Sequence, residues 1–324
     1  MVSLNQTITA VKGLEAGHHT DLEHATGCTV FICRNGAVGG VDVRGGSPGT
    51  RETDLLRPVH RVEQVNAVVL SGGSAFGLDA ASGVVAYLES QGVGFRVGPV
   101  VVPIVSSAIL FDLGLISAVV RPGPEEGRSA CLASSDAPMT EGSVGAGTGA
   151  TVAKLGGSER AVKGGIGSAA IVLATGQTVA AAVAVNAIGG IWDYTTGQIV
   201  AGPRRPGGGF DDSVAMLLHA QTNSPAGPVN TTIGLVATDA LVSKEDANYL
   251  ARLSHDGLAM VIRPCHTIRD GDTMFAMATG QNQSPADLTA LGAAAVEATA
   301  QAVLRAVRNA TGLGGIPSVG ELTE

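Results

Sequence analysis

The chain contains a Thr-Thr pair at a position where a hydroxyl could act as a nucleophile. Asn230 ends a stretch rich in Pro and Gly, and Thr231 and Thr232 open an apolar run typical of a buried strand. A Thr hydroxyl is a weak nucleophile until a base takes its proton. The α-amine of the same residue, with a pKa of about 7.7–8.0, can be that base. Thr231 gains this amine only if its hydroxyl first attacks the Asn230 carbonyl and the resulting ester is hydrolysed; a loop that simply ends at a Thr is the alternative.

Two carboxylates stand close together in the segment DGDT. Asp270 and Asp272 are two residues apart, so they point to the same side of an extended backbone. Like charges held together shift each other's pKa and can share protons or orient a nucleophile. An ordinary Asp-Gly turn before the strand TMFAMA is the other interpretation. A calcium-binding EF-hand is excluded because the third oxygen ligand and the closing Glu are missing.

Lys154 and Asn186 are polar residues within segments of small and apolar residues, GAGTGATVAK and TVAAAVAVN. A single Lys is usually solvated on the surface, although a buried one could stabilise charge. Asn186 ends a buried strand and needs partners for four hydrogen-bonding sites. It could either be satisfied within the core or polarise a substrate carbonyl, and the residues alone leave both interpretations open.

Gly72 and Gly73 lie in the segment SGGSAFG (71–77), between a predicted strand and a predicted helix. Backbone N–H groups of such a turn can face a ligand at the helix N-terminus. No Gly-Lys-Ser/Thr follows, so the segment is not a Walker A loop, and its glycine spacing does not fit a dinucleotide-binding fingerprint. It is either a tight packing turn or a cradle for an anion or a carbonyl oxygen.

Composition excludes several classes of partner. The 324 residues include 45% hydrophobic and 15% charged ones, which is ample for one large core or two ordinary ones. With 3% aromatic residues and a net charge of −8, the chain lacks the basic patches and stacking aromatics of a nucleic-acid binder. The segment MVSLNQTITAVKG has no apolar core of a signal peptide, and no apolar run reaches the roughly 18–20 residues of a membrane span without interruption. We expect a cytoplasmic protein with no membrane partner.

Neither metal-ligand nor serine-hydrolase patterns occur in the sequence. The four cysteines are widely spaced, and the seven histidines show no metal-ligand spacing. His266 is the one histidine that precedes a candidate site segment. There is no G-x-S-x-G nucleophile elbow. We therefore expect no metal and no cofactor.

Short β-branched runs alternate with Ala-rich ones in the first half of the chain. GCTVFIC (27–33) and AVGGVDV (37–43) are predicted to form a hairpin. VNAVVL (65–70) is predicted to be a buried strand that leads into a helix from about Ala75 to Glu89. VVVPIVSSAILF (100–111) is a further strand region.

The second half continues the alternation. AAIVLATG (169–176) and TVAAAVAVNAIG (178–189) are predicted to be antiparallel neighbours, and TTIGLVAT (231–238) another strand. Residues 202–230 have the composition of an exposed loop or linker.

Two helices and their caps are predicted after these strands. One begins near Ser243 with a capping box completed by Asp246, and the last has Ser284 as N-cap and Pro285 at N1 and runs to about Asn309. Antiparallel strands mixed with helices predict an α+β architecture in which helices cover sheets.

Seven segments of the chain, in order, resemble the DmpA-like family of self-processing aminopeptidases and amidases, also called peptidase family S58, and the nylon-oligomer hydrolases of the same superfamily. Together they span nearly the whole chain, and the ordered set is far more specific than any one segment. They are ITAVKGLEAGHHTD (8–21), DVRGGSPGTRETDLL (42–56), LSGGSAFGLDAASGV (70–84), VGAGTGATVAK (144–154), VAVNAIG (183–189), VNTTIGLVATD (229–239) and HTIRDGDTMFAMATG (266–280).

The resemblance implies an αββα sandwich of the type shared with ornithine acetyltransferases, an N-terminal-nucleophile-like fold. It also implies a single domain, 1–324, that cleaves itself between Asn230 and Thr231 into chains 1–230 and 231–324. The two chains would stay associated and form a homo-oligomer, a tetramer of processed heterodimers. The expected substrate is a small peptide or amide.

The resemblance also implies roles for individual residues. Thr231 is the expected nucleophile and its new amine the base. Asp270 and Asp272 match the acidic pair that orients the nucleophile in the nylon-oligomer hydrolases. Lys154 and Asn186 match the site lysine and asparagine of that group, the lysine to stabilise charge or lower the pKa of the nucleophile and the asparagine to stabilise the oxyanion.

Three departures bear on specificity. The better-known aminopeptidases of the family have Ser where this chain has Thr231. Phe111 stands where many relatives have a Tyr whose hydroxyl helps to hold the oxyanion. No carboxylate lies between Glu89 and Asp112, a region where some aminopeptidases place the acid that binds the substrate amine. Exopeptidase specificity is therefore open.

Four functions follow from the sequence. The leading one is an N-terminal-nucleophile hydrolase of small peptides or amino-acid amides, with Gly72, Gly73 and Phe111 as candidate substrate-binding residues. An endo-type 6-aminohexanoate oligomer hydrolase is the first alternative. An acyltransferase that passes the acyl group to an amine, and a non-catalytic binding protein of the same fold, are the others.

Overall fold

Strands and helices alternate along residues 5–219 and 230–322, the part of the chain that the computed structural model describes. The strands are β1 (Glu15–Asp21), β2 (Thr26–Val43), β3 (Thr50–Arg51), β4 (Gln64–Ser71), β5 (Phe95–Val97), β6 (Val100–Val102), β7 (Val105–Ile109), β8 (Thr151–Val152), β9 (Val162–Lys163), β10 (Gly165–Val172), β11 (Thr178–Asn186), β12 (Gly190–Asp193), β13 (Gln198–Ala201), β14 (Thr231–Ala240), β15 (Ile262–Arg263) and β16 (Thr273–Asn282). The α-helices are α1 (Ala80–Ser90), α2 (Pro124–Leu132), α3 (Ser213–Leu218), α4 (Lys244–Val261), α5 (Leu288–Arg308) and α6 (Val319–Leu322). Short 3₁₀ helices cover Ile8–Ala10, Asp54–Leu56, Ser74–Asp79, Gly145–Gly147 and Ser158–Arg160.

The 18-residue strand β2 joins the two halves of the main sheet. The strand order is β10-β11-β14-β16-β2-β4-β7-β3, with β1 also paired to β2. The first part of β2, from Cys28 to Ile32, pairs with β4, whereas its last part, from Val38 to Val43, pairs with β16. We call the strands around β4 the β4 half and those around β14 the β14 half.

The two halves pack face to face around a central core. Alternate residues of each strand point into this core, as a period of two requires, and the others face a helix layer. In β11, Ala182 lies in the central core, while its neighbours Ala181 and Val183 face α5. Small side chains on both faces of β11 let α5 approach the sheet closely.

Helices cover both outer faces. The β4 half packs against α1 and α2 through residues such as Val30 and Val84, and the β14 half packs against α4 and α5. The layers therefore follow the order α, β, β, α, which confirms the predicted sandwich. Helix α5 has the length and apolar composition of a membrane span, but two-thirds of its most apolar stretch is buried inside the protein, as in a core helix.

The predicted hairpin over 27–33 and 37–43 is wrong. Both segments belong to the single strand β2, and the residues between them form an irregularity in its pairing with β4. Asn35 and Gly36 have the composition of a turn, and Gly36 does adopt a φ of +79°, but the chain continues in the same direction. The glycine permits a bulge rather than a reversal.

Other boundaries differ in smaller ways. The helix predicted from about Ala75 begins with a 3₁₀ segment and becomes α-helical at Ala80. The last helix is capped by Asp287, whose side chain accepts the Thr289 N–H, and not by Ser284. The region predicted as one strand over 100–111 is divided into β6 and β7, which pair with different strands.

Two further predictions are confirmed. β10 and β11 form the expected antiparallel pair, although β10 covers Gly165–Val172 and not 169–176, and β11 ends at Asn186. Ser243 and Asp246 form the predicted capping box of α4. Within the predicted loop 202–230, α3 is capped by Asp212, and residues 220–229 lie outside the described part of the chain.

Candidate active site

Parallel pairing of two strands brings the Thr-Thr pair to the acidic segment. β14 begins at Thr231 and runs parallel to β16, and a bridge between Asn230 and Asp270 continues the pairing ahead of both strands. On its other side, Thr231 lies opposite Asn186 at the end of β11. Thr231 is thus held between two neighbouring segments, with only 2% of its surface exposed.

The Thr231 hydroxyl lies against the carbonyl group that self-cleavage would attack. Thr231 Oγ1 donates a hydrogen bond to the Asn230 carbonyl oxygen. The Gly271 N–H donates to the same oxygen at 3.0 Å, and the Asn230 N–H donates to the Arg269 carbonyl at 3.2 Å. A Cβ at position 271 would lie 2.8 Å from Thr231 Oγ1 and 2.7 Å from the Ser47 carbonyl oxygen. The acidic loop, residues 270–272, therefore requires glycine at position 271, where it passes the Thr231 hydroxyl.

Asp272 accepts hydrogen bonds from both sides of the site. Its Oδ1 accepts the Thr232 N–H at 2.7 Å. Its Oδ2 accepts the N–H of His266 at 3.0 Å and lies 2.8 Å from His266 Nδ1, and Cys265 Sγ lies 3.6 Å from the same oxygen. Asp272 thus fixes the backbone of β14 one residue after Thr231.

Asp270 is bound within its own loop and keeps one oxygen available. Its Oδ2 accepts the Thr267 N–H at 2.9 Å and the Thr267 hydroxyl at 2.5 Å. Its Oδ1 is buried and has no hydrogen-bond partner among the described residues. Burial and the neighbouring charge of Asp272 raise the pKa of Asp270. The two carboxylates therefore influence each other, as the sequence predicts.

The glycine-rich segment 44–47 binds the acidic loop through backbone hydrogen bonds. The Gly45 N–H donates to the Asp272 carbonyl at 3.2 Å, and the Ser47 N–H donates to the Asp270 carbonyl at 2.9 Å. A Cβ on Gly45 would lie 2.3 Å from the backbone of both aspartates. No role was predicted for this segment from its residues, although it is part of the family resemblance.

Lys154 and Asn186 contact each other beside Thr231. Lys154 Nζ donates to Asn186 Oδ1 at 2.6 Å and to the Asn186 carbonyl at 3.3 Å. Asn186 Oδ1 also accepts the Thr151 N–H at 3.1 Å, and Asn186 Nδ2 donates to the Phe111 carbonyl at 3.0 Å. The amide of Asn186 is therefore positioned by three neighbours, one of them the backbone of Phe111.

Lys154 is not the solvated surface lysine that its isolation in the sequence allowed. It is 7% exposed, and burial lowers its pKa to about 7, although the charges of Asp270 and Asp112 act in the opposite direction. At neutral pH the side chain is divided between ammonium and amine. A group of this kind can act either as a cation or as a proton acceptor.

Lys163 is a second buried lysine that the sequence analysis missed. Burial lowers its pKa to about 7 as well. Its Nζ donates at 2.8–3.1 Å to three backbone carbonyls, those of Gly147, Ala150 and Gly164. These contacts hold the segment that leads to Lys154. The local sequence shows only a single Lys among small residues, and this does not distinguish a buried lysine from one on the surface.

Replacing Lys163 with Met should reduce the rise of stability with pH. The pKa of Lys163 is 10.5 in its ordinary state and about 7 in the fold, so above pH 7 the unfolded chain binds more protons and the free energy of unfolding increases with pH. Burial also lowers the pKa of Lys154 and of Lys244, so the variant should lose a part of the lysine contribution and not all of it.

Thermal unfolding of both proteins at pH 7.0 and 8.5 tests this prediction. Higher pH is avoided because burial also raises the pKa of the thiols of Cys28, Cys33, Cys131 and Cys265, and their ionisation in the unfolded chain favours unfolding. The same change in melting temperature in both proteins would contradict the assignment of the slope to Lys163.

The Gly72-Gly73 turn holds a carboxylate of the protein itself. Gly73, with a φ of +81°, donates its N–H to Asp112 Oδ1 at 2.7 Å, and the Thr26 hydroxyl donates to Asp112 Oδ2 at 2.8 Å. A Cβ on Gly72 would lie 2.0 Å from Asp112 Oδ2. Burial raises the pKa of Asp112. The turn is thus a cradle for an internal anion, and substrate binding by Gly72 and Gly73 stays a prediction.

A cavity of about 290 Å³ lies next to Lys154. Phe111 contributes to its wall, so this residue is on the side where a substrate could bind, although its role stays a prediction. The wall is mainly apolar, with Phe111, Leu113, Leu115 and Ile316, and its two ionisable residues in the described part of the chain are Lys154 and Asp112.

One group of described residues has the donor atoms of a metal site. Cys265 Sγ, a ring nitrogen of His266 and a carboxylate oxygen of Asp272 all lie within 4.8 Å of one another. The spacing of histidines and cysteines in the sequence did not reveal this group. In the structure its members contact each other, with Cys265 Sγ 3.4 Å from His266 Nδ1.

Comparisons with known proteins agree with the architecture. The sequence matches peptidase family S58 over residues 6–318. An uncharacterized aminopeptidase of Mycobacterium leprae (strain TN) is 41% identical, over 98% of this chain and 94% of the relative. A 6-aminohexanoate-oligomer endohydrolase of Kocuria sp. (strain KY2) is 30% identical, over 91% of this chain and 84% of the relative.

Solved structures share the fold. A β-aminopeptidase of Burkholderia sp. superposes with a TM-score of 0.69 at 22% identity, over 94% of this chain and 87% of the other. The L-aminopeptidase D-Ala-esterase/amidase of Ochrobactrum anthropi, described as a variant of the Ntn-hydrolase fold, gives 0.68 at 19% identity, over 94% and 86%. With the match along nearly the whole sequence, these findings show that the chain belongs to peptidase family S58 and is a hydrolase with an N-terminal-nucleophile-type fold.

Proposed function

We propose that this chain is a self-processing N-terminal-nucleophile hydrolase that cleaves the amide bonds of small peptides or amino-acid amides. The observation that carries the proposal is the contact of the Thr231 hydroxyl with the Asn230 carbonyl, which the Gly271 N–H also binds at 3.0 Å. The aminopeptidases among the relatives support the substrate class.

Self-processing begins at the Asn230–Thr231 peptide bond. Thr231 Oγ1 attacks the Asn230 carbonyl carbon, and the Gly271 N–H stabilises the negative charge that develops on the carbonyl oxygen. The C–N bond then breaks, and the hydroxyl proton ends on the departing nitrogen. The product is an ester between Asn230 and the Thr231 side chain, together with a free α-amine. Water hydrolyses this ester and leaves Thr231 as the first residue of the short chain.

Amide hydrolysis uses the same hydroxyl. The α-amine of Thr231 takes the hydroxyl proton, Oγ1 attacks the substrate carbonyl, and the proton passes to the substrate amine as it leaves an acyl-enzyme ester. Water then hydrolyses this ester, which releases the acid and restores the Thr231 hydroxyl. Asp270 Oδ1, which has no partner among the described residues, is available to the new amine. Asn186 lies opposite Thr231 in the strand pairing and is bound by Lys154 at 2.6 Å, so these two residues are the candidates to stabilise the oxyanion of the substrate.

Intact-mass spectrometry under denaturing conditions tests self-processing directly, together with N-terminal sequencing of the smaller species. We expect two chains, the shorter beginning Thr-Thr-Ile-Gly. A single chain that stays uncut on prolonged incubation would contradict the proposal.

A second candidate, endo-type amide hydrolysis, is favoured by the cavity. Among the described residues of its wall, Asp112 is the one carboxylate, and both of its oxygens accept hydrogen bonds from the protein. The other ionisable group is Lys154, which in its ammonium form repels a second ammonium. A substrate without a free amino group therefore suits the cavity better than one with a free N-terminus. The endohydrolase of Kocuria sp. supports this alternative at lower identity.

The second candidate predicts that N-acetyl-leucine p-nitroanilide is cleaved about tenfold faster than leucine p-nitroanilide, because an unpaired ammonium loses its hydration in the cavity. The two compounds share the scissile bond and the side chain, so the ratio of their kcat/KM values isolates the effect of the amino group. Faster cleavage of the free amine would favour exo-type aminopeptidase activity and overturn the second candidate.

A further inference from the structure

His266 contacts the buried carboxylate of Asp272 with two donors of the same residue. Its backbone N–H donates to Asp272 Oδ2 at 3.0 Å, and its Nδ1 lies 2.8 Å from the same oxygen. Every other contact of this carboxylate comes from a donor, namely the N–H of Thr232 and the thiol of Cys265. Nδ1 is therefore the protonated ring nitrogen, because a carboxylate can only accept from it.

The backbone of His266 is in a conformation that a non-glycine residue seldom adopts. Its φ is +55°, in the left-handed region. This conformation is what directs the N–H and the ring of one residue toward a single oxygen. Residues held in such sparsely populated regions are found at functional sites, where the surrounding structure fixes them.

The ring of His266 is also fixed from its other side. His255, which is fully buried, contacts it in a T-shaped arrangement with ring centroids 4.7 Å apart. Because the edge of one ring meets the face of the other, His255 restricts the orientation of the His266 ring. His255 Nε2 lies 3.0 Å from the Asp42 carbonyl oxygen, which ties the pair to the end of β2.

We propose that His266 is a positioning residue of the site: it orients Asp272, whose other oxygen holds the Thr232 N–H at 2.7 Å and thereby places the Thr231 hydroxyl against the Asn230 carbonyl. The inference rests on the proposed function and adds His266 to the residues that this function uses. His266 does not touch the reacting atoms. Without the ring donor, Asp272 Oδ2 would keep only the His266 N–H and the 3.6 Å contact with the Cys265 thiol, so the carboxylate would hold the start of β14 less firmly.

Two substitutions separate the hydrogen bond from the backbone conformation. Asn and Gly both tolerate a positive φ. His266→Asn places an amide nitrogen at the same number of bonds from the backbone as Nδ1, so it keeps a side-chain donor. His266→Gly removes that donor. The two variants therefore differ in the side-chain N–H that is available to Asp272.

The measurement is the rate at which the purified precursor is cleaved, followed by intact mass with EDTA present to keep adventitious metal off Cys265, His266 and Asp272. Because cleavage is intramolecular, substrate binding does not enter the rate. We expect His266→Gly to be slowed about 10²-fold, the typical effect of a small misplacement of reacting groups, and His266→Asn to stay close to the unmodified protein.

Equal cleavage rates for the two variants would overturn the inference, whatever their melting temperatures, because a merely structural histidine would affect stability and not this ratio. If His266→Gly does not fold, His266→Ala replaces it, since Ala25 and Ala153 adopt φ values of 56° and 58° in this structure and Ala has no side-chain donor. Thr231→Ala is run alongside. If it is cleaved, the proposed function itself fails; if it stays intact while the His266 variants are equal, this inference alone fails.

Discussion

Thr231→Ala is expected to remain a single chain of 324 residues and to hydrolyse no amide substrate. The variant lacks the hydroxyl that contacts the Asn230 carbonyl, so neither the acyl shift nor the later acyl-enzyme can form. Removal of the nucleophile of a hydrolase lowers kcat by as much as about 10⁶-fold. Intact mass and turnover of an amino-acid amide measure the two losses.

Thr231→Ser is the matched control because it retains the hydroxyl and removes only a methyl group. We expect it to be cleaved and to be active. Thr231 is buried in β14, so both variants also need melting temperatures close to that of the unmodified protein for the comparison to hold. Cleavage or turnover in Thr231→Ala would show that another residue is the nucleophile.

Lys154→Met is expected to have the second-largest effect, a loss of about 10²–10³-fold in kcat/KM, as for other removed oxyanion donors. The buried ammonium is replaced by an apolar group of similar length, and Asn186 loses its 2.6 Å contact. The cut between the two chains should still occur, since the Gly271 N–H serves the processing step.

The pH profile distinguishes the two possible roles of Lys154. If it acts as an ammonium, activity falls as pH rises through its pKa of about 7, while the Thr231 amine makes activity rise toward pH ~8. The unmodified enzyme should then show a bell-shaped profile, and Lys154→Met only the rising limb. Lys163→Met, which removes the other lysine of similar pKa, should keep the bell. A purely rising profile in the unmodified enzyme would assign Lys154 as a proton acceptor instead.

The sequence was informative where a pattern is local. The apolar run over 178–189 and the capping box at Ser243 predicted elements that the structure confirms, because both depend on neighbours within a few residues. The pairing of β14 with β16 is different. It joins segments about forty residues apart, and only the family resemblance placed Thr231 beside Asp270.

Residues whose role depends on burial could not be predicted from local sequence patterns. Lys163 and His266 have the same local surroundings as many solvated residues, and their function arises from carbonyls and carboxylates brought in by distant segments. The turn predicted at Asn35-Gly36 was wrong for the opposite reason. The composition is that of a turn, but the residues before the pair are hydrogen-bonded to β4 and those after it to β16, so β2 continues in one direction.

The place of β14 and β16 in the sheet has a consequence for the mature protein. Both strands follow the proposed cleavage point, yet they lie between β11 and β2, which precede it. After cleavage, the short chain would thus fill an internal gap in a sheet made by the long one, and neither fragment would have a complete sheet alone. Folding would have to precede cutting, and refolding of the mature protein would become a bimolecular reaction whose yield depends on concentration. The precursor would renature as one chain, whereas the mature enzyme, once melted, would have lost the covalent link that guided its assembly.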